Sequence, residues 1–298
     1  MRNLFLKFST DNAKLEKSGL IVHTFSIPSG ITCPGACECK AHFDLKKKKL
    51  IDGPKQKYRC FSASQEAMFP SLRKARHHNL NILLKDGGAT VDGLYNILEE
   101  DLPTNLRTGR IHVGGDMYSQ AYFDAWVRVA GNHANKKFYA YTKSLPFWIE
   151  RLGQIPVNLV LTASRGGKFD CLIEPYKLKQ AIVVDHPEEA AALGIEIDHD
   201  DTMAMTDDIR IVALKLHGTQ PAGSGASMAG CDAATAAKHH VWRIKEAIRS
   251  RADLVASGMY GAPARQPVSA AAVEAYGIPL PTWYTKVGDM YVWRPEAQ

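Results

Sequence analysis

Short apolar runs alternate with longer amphipathic segments through most of this chain. The apolar runs predict strands at 20–27, 110–113, 138–141, 158–161, 181–184 and 209–214. Helical spacing of apolar positions predicts helices at 62–84, 91–102, 119–131, 144–152, 172–179, from 187 onward, and at 233–254. Strands that alternate with helices are typical of parallel βα units. The pattern therefore predicts an α/β fold, a partial TIM-barrel-like βα repeat with a C-terminal helix and extension.

The two ends of the chain differ in pattern from its middle. Residues 1–19 are polar and weakly patterned, so we interpret them as an N-terminal extension of a single domain over 20–255. Residues 256–298 are rich in Pro and Gly and are predicted to pack back on that domain through aromatic side chains, namely Trp283, Tyr284, Tyr291 and Trp293. An apolar run of about 18 residues, which a membrane span needs, does not occur. The N-terminal apolar run is too short for a secretory signal, and we expect a cytoplasmic protein with no membrane partner.

Four of the six cysteines lie close together, directly after the first predicted strand, in a loop over residues 33–60. They are Cys33, Cys37, Cys39 and Cys60. In a reducing compartment, clustered cysteines indicate metal ligands rather than disulfides. Thiolates can hold an iron–sulfur cluster or a structural zinc ion, and the C-x2-C pairs usual for zinc are missing here. His42 could replace one thiol, whereas Cys171 and Cys231 stand alone and are interpreted as ordinary thiols.

Small, polar and charged residues follow three of the predicted strands. They are Gly114, Gly115 and Asp116, then Thr142, Lys143 and Ser144, then Ser164 and Arg165. Ligands of parallel α/β folds bind at the carboxyl ends of the strands, so these groups predict a pocket for a carboxylate or a phosphate. Weaker candidates for substrate contact lie after later strands, at Asp185, Asp200, His217 and Gln220.

The chain carries a formal net charge of +6, and much of the excess comes from Lys46–Lys49, Lys55 and Lys57. A basic balance favours an anionic partner such as nucleic acid, a nucleotide or phosphate. A lysine run in a polar loop is also typical of a merely solvated surface. The sequence contains neither a phosphate-binding P-loop nor a G-x-S-x-G nucleophile motif, so it gives no support to functions that depend on them.

Six segments together resemble the gene product 88 family of bacteriophage proteins, over about residues 20–230. They are TCPGA at 32–36, YRCFSASQEA at 58–67, RIHVGGD at 110–116, FYAYTKS at 138–144, LTASRGG at 161–167 and LHGTQPAG at 216–223. The resemblance implies a phage origin, and hence a host cytoplasm, more than an activity. It also implies that Cys33, Cys39 and Cys60 are the ligands, with Cys37 in reserve.

The arrangement is similar, more distantly, to radical S-adenosylmethionine enzymes. Gly114-Gly115-Asp116 stands where those enzymes carry Gly-Gly-Glu, but their C-x3-C-x2-C is replaced here by C-x3-C-x-C. This resemblance implies a [4Fe–4S] cluster whose open iron binds S-adenosylmethionine. Gly115 and Asp116 would meet its amino group, and Lys143, Ser164 or Arg165 its carboxylate or ribose. It further implies a flavodoxin or ferredoxin as reductant, and a nucleotide, a nucleic-acid base or another small anion as substrate.

Two other functions stay open from the sequence. One is a zinc-stabilised nucleic-acid-binding protein without catalysis, whose basic face is the lysine-rich loop. The other is a hydrolase or transferase that uses Asp185, His199 and His217 without redox chemistry.

Overall fold

The computed structural model of the protein describes residues 4–221, 233–256, 268–276, 278 and 284–293. The strands are β1 Phe8–Ser9, β2 Val22–Phe25, β3 Ala41–Asp44, β4 Lys49–Asp52, β5 Thr108–Ile111, β6 Lys137–Thr142, β7 Leu159–Ser164, β8 Gln180–Val184, β9 Ile211–Lys215, β10 Val268–Ser269, β11 Tyr284–Val287 and β12 Met290–Trp293. The α-helices are α1 Ala13–Glu16, α2 Phe61–Met68, α3 Pro70–Ile82, α4 Val91–Asp101, α5 Gln120–Asn132, α6 Leu145–Ile149, α7 Pro187–Leu193, α8 Ala233–Ala256 and α9 Ala270–Tyr276.

The main sheet has seven strands in the order β1-β2-β5-β6-β7-β8-β9. Strand β1 pairs antiparallel with β2, and the other neighbouring strands are parallel. The sheet is not closed, because β1 and β9 form its two edges. A barrel requires the last strand to pair with the first, and here a two-residue antiparallel strand occupies that edge. The parallel α/β part of the fold prediction is therefore confirmed, and the TIM-barrel part is not.

The two faces of the sheet are covered unequally. Alternate strand residues such as Phe25, Ile111 and Leu161 join the large apolar core formed with α4, α5, α7 and α8. The opposite residues, such as Val22, Tyr139 and Val160, join a much smaller cluster with Leu15, Ala204 and Met205. Successive side chains of a strand point to opposite faces, which explains this division. The second face is therefore left with polar side chains and an open cavity.

Most predicted elements are present, with ends shifted by one to three residues. The predicted helix at 62–84 divides at Pro70 into α2 and α3, since proline is tolerated in the first turn of a helix but not in its interior. The predicted core face of α5, Tyr122, Trp126, Val129 and Ala130, is almost completely buried. The predicted helix at 172–179 is wrong, because only the 3-10 turn Asp170–Leu172 forms in that region.

The predicted extensions contribute strands of their own. Within 1–19, β1 extends the main sheet and α1 packs Leu15 against its open face. The C-terminal strands form a separate three-stranded sheet, and Tyr291 packs against the large core. Trp283 lies outside the described residues. In the described part of the chain, no helix is long and apolar enough to cross a membrane.

Candidate functional site

The cysteine loop crosses the carboxyl ends of the parallel strands and is fixed there by main-chain hydrogen bonds. Ile27 N donates to Gly114 O at 3.0 Å, which joins the start of the loop to the end of β5. Farther along, Glu38 N donates to Gly166 O at 2.9 Å, next to the end of β7. Lys168 N, after the end of β7, donates a hydrogen bond to Gly35 O in the loop at 2.8 Å. The thiols are therefore held at the strand ends, where the sequence predicts the ligand pocket.

Two glycines make this close docking feasible. A side-chain carbon on Gly35 would overlap the carbonyl of Lys143 after β6. Gly115 has φ +86° and faces Ile27, so an added carbon there would collide with that residue and strain the backbone. Both glycines are thus explained by contact between the loop and the strand ends, and neither requires a ligand for its explanation.

The thiols of Cys33, Cys39 and Cys60 lie within one another's electrostatic field. Burial raises the pKa of the Cys33 thiol well above its usual range, and the charges of Asp116, Cys60 and Cys39 raise it further. Burial raises the pKa of Cys39 to about 11, with Lys143 opposing this shift and Cys60 adding to it. Cys39 and Cys60 thus both act on Cys33, and these are the three cysteines named by the family resemblance.

Asp116 is buried and links two strand ends. Its Oδ1 accepts hydrogen bonds from Thr142 Oγ1 at 2.6 Å and from Met117 N at 2.7 Å, and its Oδ2 accepts one from Lys143 N at 2.9 Å. Burial raises the pKa of Asp116, and the hydrogen bonds from Thr142 and Lys143 oppose that rise. Ser144 Oγ adds a hydrogen bond of 2.7 Å to Met117 O. This carboxylate therefore organises the turn after β6 as well as facing the thiols.

The remaining predicted cofactor contacts extend this network to β7. Lys143 Nζ donates to Ser164 O at 2.7 Å, to Ser164 Oγ at 2.8 Å and to Arg165 O. Arg165 itself points away along the sheet and bonds to Gln180 and Glu174. The predicted groups at three strand ends are therefore adjacent. The polar atoms of these residues largely form hydrogen bonds with one another. A cofactor bound here would therefore have to accept or donate to groups that already have a partner.

A buried ion pair lies beneath the loop, and sequence reasoning missed it. Arg76 on α3 and Glu66 on α2 are 2% and 1% exposed, and Arg76 Nη1 lies 2.8 Å from Glu66 Oε1. Glu66 also accepts a hydrogen bond of 2.8 Å from Ser29 N, within the loop. Burial lowers the pKa of Arg76, and the charge and hydrogen bond of Glu66, followed by the charges of Cys60 and Cys33, oppose that shift. Glu66 lies in the YRCFSASQEA segment that resembles the family, and this resemblance is the sequence feature that could have identified the ion pair.

The weaker substrate candidates are dispersed. Asp185 lies 3.5 Å from His239 Nε2 and lines one cavity, whereas His199 and His217 line another. Asp200 accepts hydrogen bonds from Thr202 in its own loop. Gln220 fixes the loop beside Cys60, since its Oε1 accepts from Arg59 N at 2.7 Å. The three residues of the hydrolase hypothesis are therefore not assembled into one site.

The lysine-rich segment is a hairpin rather than an irregular loop. Strands β3 and β4 pair antiparallel, and His42 lies on β3 opposite Ile51. Lys46, Lys47 and Lys48 form the exposed turn, where Asp44 Oδ1 accepts hydrogen bonds of 2.9 Å from Lys46 N and Lys47 N. Lys57 pairs with Glu38 instead. Cys171 is exposed, and Cys231 lies outside the described residues.

Among the residues that the structure describes, no group of three or more His, Cys, Asp or Glu side chains is arranged to hold a metal ion. A family model described as Gene product 88 matches residues 4–243. This range contains all six segments on which the family resemblance rests. No curated protein and no solved structure shows significant similarity to the chain.

Proposed function

This chain belongs to the Gene product 88 family, and we propose that it is an iron–sulfur protein whose [4Fe–4S] cluster is bound by Cys33, Cys39 and Cys60. The observation that carries the proposal is the arrangement of these three half-buried thiols: Gly30 N donates to Cys33 Sγ at 3.3 Å, and the charge of Cys60 acts on both Cys33 and Cys39. Coordination would lower the raised pKa values of the Cys33 and Cys39 thiols, because a metal centre takes the place of the thiol proton.

The order of the cysteines along the chain favours a cluster over a single zinc ion, because the C-x2-C pairs usual for structural zinc are missing. Structural zinc draws four ligands to about 2.3 Å from one atom, in a closed tetrahedron. The described cysteines are not arranged in this way around one ion. A cluster of several irons and sulfides is larger than one ion and separates its cysteine sulfurs more widely. The support for a cluster is therefore the missing zinc spacing in the sequence.

Two buried cations favour a negatively charged centre in this position. The charge of Lys143 lowers the pKa of Cys39, opposing the effect of burial, and the charges of Cys33 and Cys60 act on Arg76. Opposite charges stabilise one another strongly where water is excluded. Lys143 would thus offset part of the charge of the thiolates, and Arg76, which is also paired with Glu66, would add to this.

Three protein ligands would leave one iron open, and we propose S-adenosylmethionine as its ligand. The support is the distant resemblance to radical S-adenosylmethionine enzymes together with the polar strand-end network of Asp116, Lys143 and Ser164. The reduced cluster would supply the electron for cleavage of the cofactor. The chain's own residues would orient it, with Asp116 accepting from its amino group and Lys143 donating to its carboxylate. A nucleotide or another small anion is the proposed substrate class.

Cofactor cleavage tests the enzymatic part of this proposal. Protein reconstituted anaerobically with iron and sulfide is reduced with dithionite in the presence of S-adenosylmethionine, and the products are separated by chromatography. We expect cleavage by the wild-type protein and at least about a hundredfold less by Cys39→Ser, since ligand loss removes the reacting centre. If the protein binds a cluster that can be reduced but does not cleave S-adenosylmethionine, the enzymatic part of the proposal is wrong. The cluster would then serve electron transfer or structure.

The exposed hairpin turn favours one alternative, a nucleic-acid-binding protein stabilised by zinc. Three exposed lysines in succession can neutralise phosphates, and such binding weakens steeply as salt is added. The triple variant Lys46→Gln, Lys47→Gln and Lys48→Gln should then lose DNA affinity. Salt-dependent DNA binding by a zinc-loaded, iron-free protein would favour this alternative over the cluster.

A further inference from the structure

A cavity of about 1160 Å³ opens on the face of the main sheet that lies opposite the large apolar core. Its walls come from α1, α2 and α3 and from the ends of β2, β5, β6 and β9. Two lining residues connect it to the cysteine loop, because Phe61 follows Cys60 and Val113 precedes Gly114. The volume is ample for a small organic ligand, since such sites measure about 300–1000 Å³.

Positive charge dominates the walls of this cavity. The lining carboxylates are Asp11 and Asp198, and the lining cations are Lys7, Lys14, Lys17, Arg76, Arg110 and Lys215. Behind the wall, Asp201 is fully buried and pairs with both Lys14 and Arg110 at 2.5 Å, and Glu66 pairs with Arg76. Positive charge remains in excess after these partners are counted. The cavity is thus electrostatically suited to an anion.

Two buried guanidinium groups in the wall retain unused donors. Arg76 Nε and Arg110 Nε are inaccessible to solvent and have no hydrogen-bond partner among the described residues. Arg76 as a whole is only 2% exposed. A buried donor without an acceptor costs about 1–3 kcal/mol. Because these two Nε atoms are inaccessible, a ligand in the cavity would contact the accessible part of Arg110 instead, whose side chain is 15% exposed.

Aromatic rings stand beside the cationic wall. The ring centroids of Phe61 and His217 are 4.0 Å apart, and Tyr141 also lines the cavity, with its hydroxyl donating to Asp198 Oδ2 at 3.4 Å. Burial, together with the charges of Lys14 and Arg110, lowers the pKa of His217, so that its imidazole is uncharged at neutral pH. Neutral aromatic rings stack readily on planar heterocycles.

From this combination we infer that the cavity binds a phosphomonoester carried on a planar ring, namely a nucleoside monophosphate. The phosphate would lie among Lys17, Lys215 and Arg110, which supply charge-assisted hydrogen bonds. The base would lie against Phe61 and His217. The inference rests on the proposed function for its link to the cysteines, while the binding itself requires no metal.

Direct binding measurements on the metal-free full-length chain test this assignment. The probes are the four common nucleoside 5′-monophosphates and their parent nucleosides, titrated by calorimetry at low salt. We expect at least one monophosphate to bind with a Kd below about 1 mM, and its nucleoside at least tenfold more weakly. The variant Lys7→Gln, Lys17→Gln and Lys215→Gln should weaken monophosphate binding about tenfold, because exposed cations each contribute modestly.

A control with the same loss of charge is the triple hairpin variant Lys46→Gln, Lys47→Gln and Lys48→Gln, whose side chains do not line the cavity. It should bind the monophosphate as the wild type does. The assignment is overturned if no monophosphate binds, if the nucleoside binds equally well, or if both triple variants lose affinity alike. Iron analysis of separately reconstituted protein reports on the cluster, so failure of either proposal is recognisable without the other.

Discussion

At the scale of single residues, the most constrained group outside the cysteine loop is Asp201. Its side chain is completely buried and accepts hydrogen bonds from Lys14 Nζ and Arg110 Nη1 at 2.5 Å and from Tyr139 Oη at 3.1 Å. Its backbone has φ +67°, a conformation that Asp and Asn tolerate better than most residues. Burial opposes its charge, but Arg110 and Lys14 outweigh burial and hold the pKa of Asp201 below its usual value.

We predict that Asp201→Asn destabilises the protein by about 3 kcal/mol or more at pH 7, because it leaves two cations without their shared carboxylate. The folded-state pKa of Asp201 is lowered, so its contribution is complete above the unfolded value of about 3.9 and is lost as the pH falls through the folded pKa. Urea unfolding at pH 7, pH 4 and about pH 2 measures the difference from wild type, which should be nearly the same at pH 7 and pH 4 and should shrink only at the lowest pH, below the unfolded pKa. Asp208→Asn, at an exposed position, is the matched control. Equal stability of the two variants at pH 7 would contradict this reading of the network.

Residue types near the thiols could be predicted from sequence, but their partners could not. The cysteines, the glycines and Lys143 can be recognised as candidate site residues from their residue type and from their position after apolar runs. The pair of Arg76 and Glu66, by contrast, joins two helices beneath the loop, and helical periodicity does not reveal which polar residues turn inward. Long-range pairing of this kind depends on the packing of elements that sequence patterns describe only one at a time.

At the scale of elements, the first part of the cysteine loop, residues 33–39, is held by the ends of β5, β6 and β7, whereas the hairpin of β3 and β4 follows it. The turn residue Gly35 lies against the carbonyl of Lys143, and Gly35 O accepts the hydrogen bond from Lys168 N. Its closeness to the strand end leaves no room for a side chain. The position of Cys33 and Cys39 should therefore depend on a glycine that carries no ligand atom.

We predict that Gly35→Ala displaces the loop and reduces bound iron by at least about half, while lowering the free energy of unfolding by about 1–3 kcal/mol through overpacking. Iron analysis of anaerobically purified protein and urea unfolding measure the two effects. The control is Gly131→Ala in α5, where the added carbon would meet Pro156 at an ordinary 3.6 Å. That change should be neutral or stabilising, because alanine favours helices. Normal iron content in Gly35→Ala would show that this docking contact is not needed to place the ligands.

Strands and helices with strong local periodicity could be predicted from the sequence. The short elements that the sequence analysis missed share one cause. The hairpin of β3 and β4 was hidden because its lysine-rich turn dominates the composition of a short segment. The two-residue β1 and the four-residue α1 are too short for periodicity to appear, and they form only because β2 and the open face of the sheet accept them. Tertiary contact, rather than local preference, decides such elements.

At the scale of the whole molecule, the open sheet gives the protein two unlike faces. One face is sealed by helices into a continuous core, and the other keeps charged side chains and a cavity beside the strand ends. The cysteine loop lies at the edge where that cavity meets the strand ends. The parallel strands could be predicted from the sequence, but closure depends on whether the first and last strands meet, which local patterns do not encode.

The central claim is that Cys33, Cys39 and Cys60 bind a [4Fe–4S] cluster while Cys37 does not. Its most direct test is iron, sulfide and zinc analysis, with an absorption spectrum, on protein purified without oxygen as wild type and as four single Cys→Ser variants. We predict about four irons and four sulfides per wild-type chain, an unchanged content in Cys37→Ser, and loss of the cluster in Cys33→Ser, Cys39→Ser and Cys60→Ser. One tightly held zinc without iron, or loss of the cluster in Cys37→Ser alone, would contradict the claim.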